Sequence, residues 1–194
     1  MLISLKTIID NLTEMEIDKL LLSFSCPLDS DIEFFLNCKA VKYETLSKSR
    51  TYLVCDSDEL ENKDISDITI YGYITLAQKV LTVPNNVSNN MRKQLDGLSC
   101  KIHGELLKHF NCYLIGQLAR NSIISNSQLK GHELIDFAKS IILTAVNAVG
   151  GRYMLVECKD EPKLIDFYNS NGFQEISRQE VDGHIMVQMI CKLI

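Results

Sequence analysis

The order of apolar and polar positions along the chain divides it into segments of two different periods. Thr13 with Glu16 three residues later has the form of a capping box, and Ile17, Leu20, Leu21 and Phe24 follow at helical spacing until Pro27 interrupts them. From Asp31, apolar residues at Ile32, Phe35, Leu36, Ala40 and Tyr43 predict a second helix with an acidic start. Residues 1–12 carry Leu2, Ile3, Leu5, Ile8, Ile9 and Leu12, which fits a short strand and a helical turn equally well. Residues 50–55 are short, β-branched and aromatic, and residues 68–76 alternate through Ile68, Ile70, Gly72, Ile74 and Leu76. Together they predict an antiparallel pair joined by a loop.

The polar, Asn-rich residues 85–100 become weakly helical around Met91, Leu95 and Leu98, and read as an insertion spanning about 85–110. Residues 112–119 form a strand with Gly116 inside it, a position that often marks a bulge or a close backbone approach. Gly131–Val149 is the clearest helix, with Leu134, Ala138, Ile141, Ile142, Ala145 and Val149 on one face and Gly150-Gly151 ending it. Residues 152–158 form a strand, Pro162 opens a helix that Gly172 stops, and residues 184–194 close the chain as a strand apolar on both faces. This order predicts an α/β fold, with central strands parallel where the long helix crosses over. A single domain over residues 1–194 is expected.

Composition removes several classes. The 194 residues include seven cysteines, an odd number without a CxxC pair or histidine partners, so neither structural zinc nor a disulfide framework is expected. Cys112 and Cys158 fall in strands and read as core thiols. The absence of a basic and apolar leader or an 18-residue apolar run predicts a cytoplasmic protein with no membrane partner. The formal net charge is −5, and the whole acidic excess lies in residues 1–97. Part of that excess is a cluster of Asp56, Asp58, Glu59, Glu61 and Asp64, expected as a solvated loop. No basic stripe suited to a phosphate backbone appears, which argues against nucleic acid as a partner.

Candidate chemistry centres on a strand, a polar loop and a helix that opens at Gln128-Leu129-Lys130-Gly131-His132-Glu133-Leu134. The first N–H groups of a helix lack intrahelical partners, and with the helix dipole they suit a phosphate or pyrophosphate. The motif Phe167-Tyr168-Asn-Ser-Asn-Gly172-Phe173, with Tyr71-Gly-Tyr-Ile-Thr-Leu-Ala77, Leu114-Ile-Gly-Gln-Leu-Ala119 and Gln128-x-x-Gly131 in the same order, resembles the GNAT superfamily of acetyl-coenzyme A-dependent acetyltransferases. The segments Phe24-Ser-Cys26, Ser49-Arg-Thr-Tyr52, Gly72-Tyr73 and Gln117-Leu-Ala119 are similar to the branch that includes toxins acetylating aminoacyl-tRNA.

The resemblance implies a GNAT-type mixed sheet, its central strands splayed around an acetyl-CoA site and helices on both faces. It implies acetyl-CoA as cosubstrate, no metal, and N-acetyl transfer to a primary amine of a small molecule or protein. The alternatives are acetylation of aminoacyl-tRNA and a non-catalytic binding module. Leu118, Ala119 and Arg120 would pair with the pantetheine arm, and residues 128–134 would hold the pyrophosphate. Tyr168 would lie near the thioester sulfur, where a phenol of ordinary pKa about 10 can protonate a departing thiolate. The Leu118 or Ala119 N–H would polarise the carbonyl if a bulge frees it. Glu157 is the candidate base, with His103, His132 and His184 as alternatives by residue type alone.

Three departures stand out: Glu133 where the family has a small residue, a longer loop over residues 121–127, and Glu161 where Asn is common. They bear on the affinity for coenzyme A and not on the fold, and the backbone contacts survive where Glu133 points outward. An acidic acceptor surface would favour a cationic amine over RNA. The apolar closing strand suggests a homodimer paired across a two-fold axis.

Overall fold

The computed structural model describes residues 1–193, so the last residue of the expected closing strand, Ile194, lies outside the described residues. Seven strands form one mixed sheet in the order β1-β2-β3-β6-β7-β9-β8, where β1 is Leu2–Ser4, β2 Arg50–Val54, β3 Gly72–Thr82, β6 His109–Arg120, β7 Tyr153–Lys159, β8 Gln174–Val181 and β9 His184–Lys192. Lys101–Ile102 (β4) and Glu105–Leu106 (β5) form a separate two-stranded hairpin. The chain divides into two compact units, one of residues 1–77 and 115–142, the other of residues 78–114 and 143–193.

In the first unit, the undecided N-terminal stretch is both of its alternatives in turn. β1 runs straight into α1 (Leu5–Asn11), whose N-cap Ser4 accepts the Thr7 N–H. The capping box is formed: Thr13 and Glu16 satisfy each other's backbone donors at the start of α2 (Glu14–Leu21). The second expected helix comes in three pieces, α3 (Ser30–Phe34), a π-helical turn (Phe35–Lys39) and α4 (Ala40–Thr45). β2 pairs antiparallel with β1 and β3, as the two adjacent strands predict. β3 begins later than expected, at Gly72, although Ile68 and Ile70 are buried ahead of it. These two residues join Leu5, Ile8, Leu20, Phe24, Leu36, Leu53 and Tyr73 in one apolar core.

The acidic cluster expected as a loop is α5 (Ser57–Asn62). Asp56 caps it by accepting the Asp58 and Glu59 N–H groups, and acidic residues in its first turn oppose the positive end of the helix dipole.

The second unit holds its own core of Leu81, Val83, Leu95, Leu107, Cys112, Tyr153, Leu155 and Ile190. Within the expected insertion lies α6 (Asn89–Asp96), ended by Gly97 at φ 91°, followed by the β4–β5 hairpin. Leu95 is buried, but Leu98 is exposed because the chain has left the helix before reaching it. Buried Arg92 anchors the segment by donating to the carbonyls of Leu107 and Pro84.

α7 (Gly131–Val149) has the predicted bounds, with Leu134, Ile135, Ala138 and Ile142 buried, while Val149 at its end is exposed. α8 (Pro162–Ser170) starts on its proline, and Gly172 follows at φ 85°. β9 pairs with β7 on one side and β8 on the other, which buries residues 187–191. It therefore has no open edge for the two-fold strand pairing expected of it. The strand at that end of the sheet is β8, mostly exposed and rich in charge. Among the described residues no disulfide forms, no group of three potential metal ligands gathers, and no helix is long and apolar enough to cross a membrane.

Candidate active site

In the first unit, β6 runs through Gly116 without interruption to Arg120, with Ala119 buried and Leu118 and Arg120 partly so. Gly72 lies against this end of the strand: a Cβ there would sit 2.7 Å from the Ala119 carbonyl oxygen and 2.9 Å from Leu129 Cδ2. Only a residue without a side chain permits that approach.

The next residue, Asn121, is wholly buried and fully engaged. Its Nδ2 donates to the Ile70 and Ser23 carbonyls at 2.9 and 3.3 Å, and its Oδ1 accepts the Ser25 and Ile123 N–H groups. Its own N–H donates to the Tyr71 carbonyl. Asn121 thus ties the end of β6 to two other segments at the point where the chain turns toward α7. In the sequence Asn121 is the first residue of a polar loop, and nothing in its neighbourhood distinguishes it from the other loop polars.

The loop closes on itself through Gln128, whose Oε1 accepts both the N–H and the hydroxyl of Ser125 at 3.1 and 2.9 Å. Arg120 reaches across the same loop, donating to Asn126 and, at 3.1 Å, to the Leu129 carbonyl. The strand and turn residues expected to share a cofactor are therefore linked by their own side chains. Leu129 and Leu134 are buried beneath the turn, while Gln128, Lys130 and His132 are exposed.

At the start of α7, the N–H groups of Gly131 and His132 have no hydrogen-bond partner among the described residues. The Glu133 carboxylate does not point outward: its Oε2 accepts the Lys130 N–H at 2.6 Å. This is the back-reaching half of a capping box, and it places a negative charge where the turn would receive a pyrophosphate. The cradle thus offers two open donors beside a third that the protein's own carboxylate occupies.

In the second unit, Tyr168 on α8 lies edge-on to Phe167 and Phe173, with ring centroids 5.1 and 5.5 Å away. Burial, and after it the nearby Cys158 thiol, push its phenol above the ordinary tyrosine range, so the hydroxyl keeps its proton. Burial likewise raises the Cys158 and Cys112 thiols, the latter to about 12, which fits core thiols rather than nucleophiles.

Glu157, on β7, uses both carboxylate oxygens. Oε2 pairs with Lys79 Nζ at 2.5 Å, and Oε1 accepts from Gln188 Nε2 at 2.6 Å. Buried Gln188 passes the row on to Ser177 and Gln179, so a polar chain crosses β7, β9 and β8. Each oxygen keeps a second lone pair, so Glu157 could take a proton only in competition with the Lys79 charge beside it. His103 occupies the β4–β5 turn at φ 51°, His184 begins β9, and His132 lies on α7; all three are exposed.

No protein-family profile matches the chain, and no curated protein sequence does. Solved structures do. AtaT complexed with acetyl-methionyl-tRNAfMet has 21% identity over 86% of this chain and 85% of that one, with a TM-score of 0.62. AtaTR bound with acetyl-CoA has 20% identity over 99% of this chain and 94% of that one, at 0.64. A Tyr-to-Phe mutant of KacT has 17% identity over 89% and 87%, at 0.66. At these identities the likeness is one of fold, and the chain has the mixed α/β fold that its motifs predict.

Proposed function

We propose that the protein is an acetyl-CoA-dependent N-acetyltransferase. The observation that carries this reading is the turn into α7: two unpartnered N–H groups at a helix start, on a loop that Gln128 closes on itself and Arg120 ties to the end of β6. Such donors suit a pyrophosphate, and the partly exposed end of β6 suits the amide-rich pantetheine arm. The neighbours support the reading, since one of them is a complex with acetyl-CoA. Acetyl-CoA, when bound, supplies the activated acyl group.

The chain's own residues then divide the work. The β6 end and the α7 start hold the cosubstrate; β6 is one unbroken strand to Arg120, so the bulge expected to free the Leu118 or Ala119 N–H for the developing oxyanion is not seen. Tyr168, kept protonated by burial, is the donor to the leaving sulfur. Glu157 is the candidate acceptor of the amine's proton.

For the acceptor, the reading is the amino group of an aminoacyl-tRNA, supported by the neighbour solved with acetyl-methionyl-tRNAfMet. The overall charge of −5 favours a second reading, a small or protein-borne cationic amine. Incubation with acetyl-CoA and, separately, charged tRNA, lysine-containing peptides and small diamines separates the two, with thiol release and acceptor mass as readouts. Acetylation of charged tRNA alone supports the first reading and acetylation of amines alone the second. Thiol release with none of them refutes neither acyl transfer nor the fold but excludes all three acceptors. No release in any mixture overturns the proposal.

A further inference from the structure

A cavity of about 610 Å³ lies within the second unit, between α6, the start of β7, the end of β9 and the chain around Gly172. Its volume falls among those that hold small ligands, about 300–1,000 Å³. Lys93, Arg152 and Lys192 line it, and among the described residues no carboxylate does. Among the described residues none of the three forms an ion pair. The acidic residues next to the lining in sequence are engaged elsewhere: Asp96 accepts the Leu98 and Ser99 N–H groups, and Glu175 is paired with Arg178.

Arg152 is held in place. It packs where a Cβ on Gly97 would come within 2.0 Å of its Nη1, it lies 5.7 Å from the Tyr153 ring centroid, and it donates to the Leu95 carbonyl at 3.3 Å. That carbonyl belongs to the last turn of α6, so part of the guanidinium's role is to satisfy a helix end. One bond leaves most of its five donors available, and the fixed planar fork suits two oxygens of one anion. Lys93 also lies in the last turn of α6, near the negative end of the helix dipole, whereas Lys192 lies at the end of β9. The rest of the lining mixes the amides of Gln94 and Gln174 with apolar and aromatic side chains, Met91, Tyr153 and Ile190 among them.

We propose that this cavity binds a phosphate-bearing ligand of nucleotide size. The three cations would neutralise the phosphate, Met91, Tyr153, Ile190 and the guanidinium plane would take the flat body attached to it, and the Gln94 and Gln174 amides would meet its polar edge. The volume is larger than a lone inorganic anion needs, and the side chains of Met91, Tyr153 and Ile190 offer surface that such an anion would leave uncovered. The ligand could be a free nucleotide or one nucleotide of a polynucleotide, which share this chemistry. The inference stands apart from the acetyl-transfer reading, because none of its residues belongs to the cofactor turn.

The test is calorimetric titration of the full chain with ADP and with a single-stranded hexaribonucleotide, each with saturating acetyl-CoA present. The variants are Lys93→Gln/Lys192→Gln, both at exposed positions, and Arg152→Lys as a milder change, with thermal melts confirming folding. Binding of either probe that weakens by at least about tenfold in the double lysine variant supports the proposal. Preference for ADP identifies a free nucleotide as the source, and preference for the hexanucleotide identifies a polynucleotide. Equal affinity in wild type and double variant, no binding of either probe at millimolar concentration, or binding abolished by acetyl-CoA overturns it.

Discussion

Removing the Glu133 carboxylate should tighten the hold on acetyl-CoA while loosening the helix it caps. In the free protein this group accepts the Lys130 N–H at 2.6 Å, beside the open N–H groups of Gly131 and His132. A pyrophosphate entering the turn must displace the carboxylate from that donor or accept a like charge next to it. A hydrogen bond to a charged group is worth about 1.5–3 kcal/mol, but Glu133 is half exposed, and solvent screening reduces this to about 1 kcal/mol. Glu133→Ala should therefore lower the Kd for acetyl-CoA by roughly fivefold at low salt, and by less at high salt. Loss of the cap should cost about 0.5–1 kcal/mol of stability. Glu133→Gln keeps an acceptor but no charge and should fall between. Calorimetric titration of the three proteins at two salt concentrations measures the effect. A Kd for the alanine variant equal to or weaker than the wild type would refute the idea that the carboxylate competes with the cofactor.

The other predictions concern the acid, the loop anchor and the thiols. Tyr168→Phe should reduce turnover about 10²-fold with near-normal acetyl-CoA affinity. Because burial raises the Tyr168 phenol, the protonated form persists above its ordinary range, so the wild-type rate should rise with pH as the acceptor amine loses its proton and show no fall up to pH about 10. An alkaline loss below that pH, absent in the Phe variant, would contradict the assignment. Asn121→Ala should destabilise by roughly 2–4 kcal/mol in urea unfolding, since it strands the buried Ile70 carbonyl and the partly buried Ser25 N–H; a change under about 1 kcal/mol would show that water replaces it. In thiol labelling of the native protein, exposed Cys38 should react first and Cys55, buried and raised to about 12, among the last; the reverse order would contradict the core packing.

The elements legible in the sequence are those with many turns or a specific end signal. α7 repeats its apolar face over 19 residues, and Thr13, Glu16 and Pro162 mark helix starts by side-chain chemistry that needs no tertiary partner. The 57–62 helix escaped because six residues without a buried face have no period to detect, and its formation rests on the Asp56 cap. The burial of Ile68 and Ile70 mimicked strand alternation because period two reports alternate burial and not sheet hydrogen bonding. The role of β9 as an interior strand follows from where β8 pairs, a long-range choice absent from its own apolar pattern. In the candidate site, the turn and its odd carboxylate could be named from spacing alone. The direction in which Glu133 folds, the closure of the loop by Gln128 and the anchoring by Asn121 are choices among rotamers and partners, and only the packed chain decides them.

The most direct test of the account is backbone hydrogen exchange with and without acetyl-CoA. If residues 118–120 and 128–134 hold the cosubstrate on main-chain groups, their amides should gain protection on binding, with the unpartnered Gly131 and His132 N–H groups changing most. Protection confined to other segments, or no change at saturating acetyl-CoA, would contradict it.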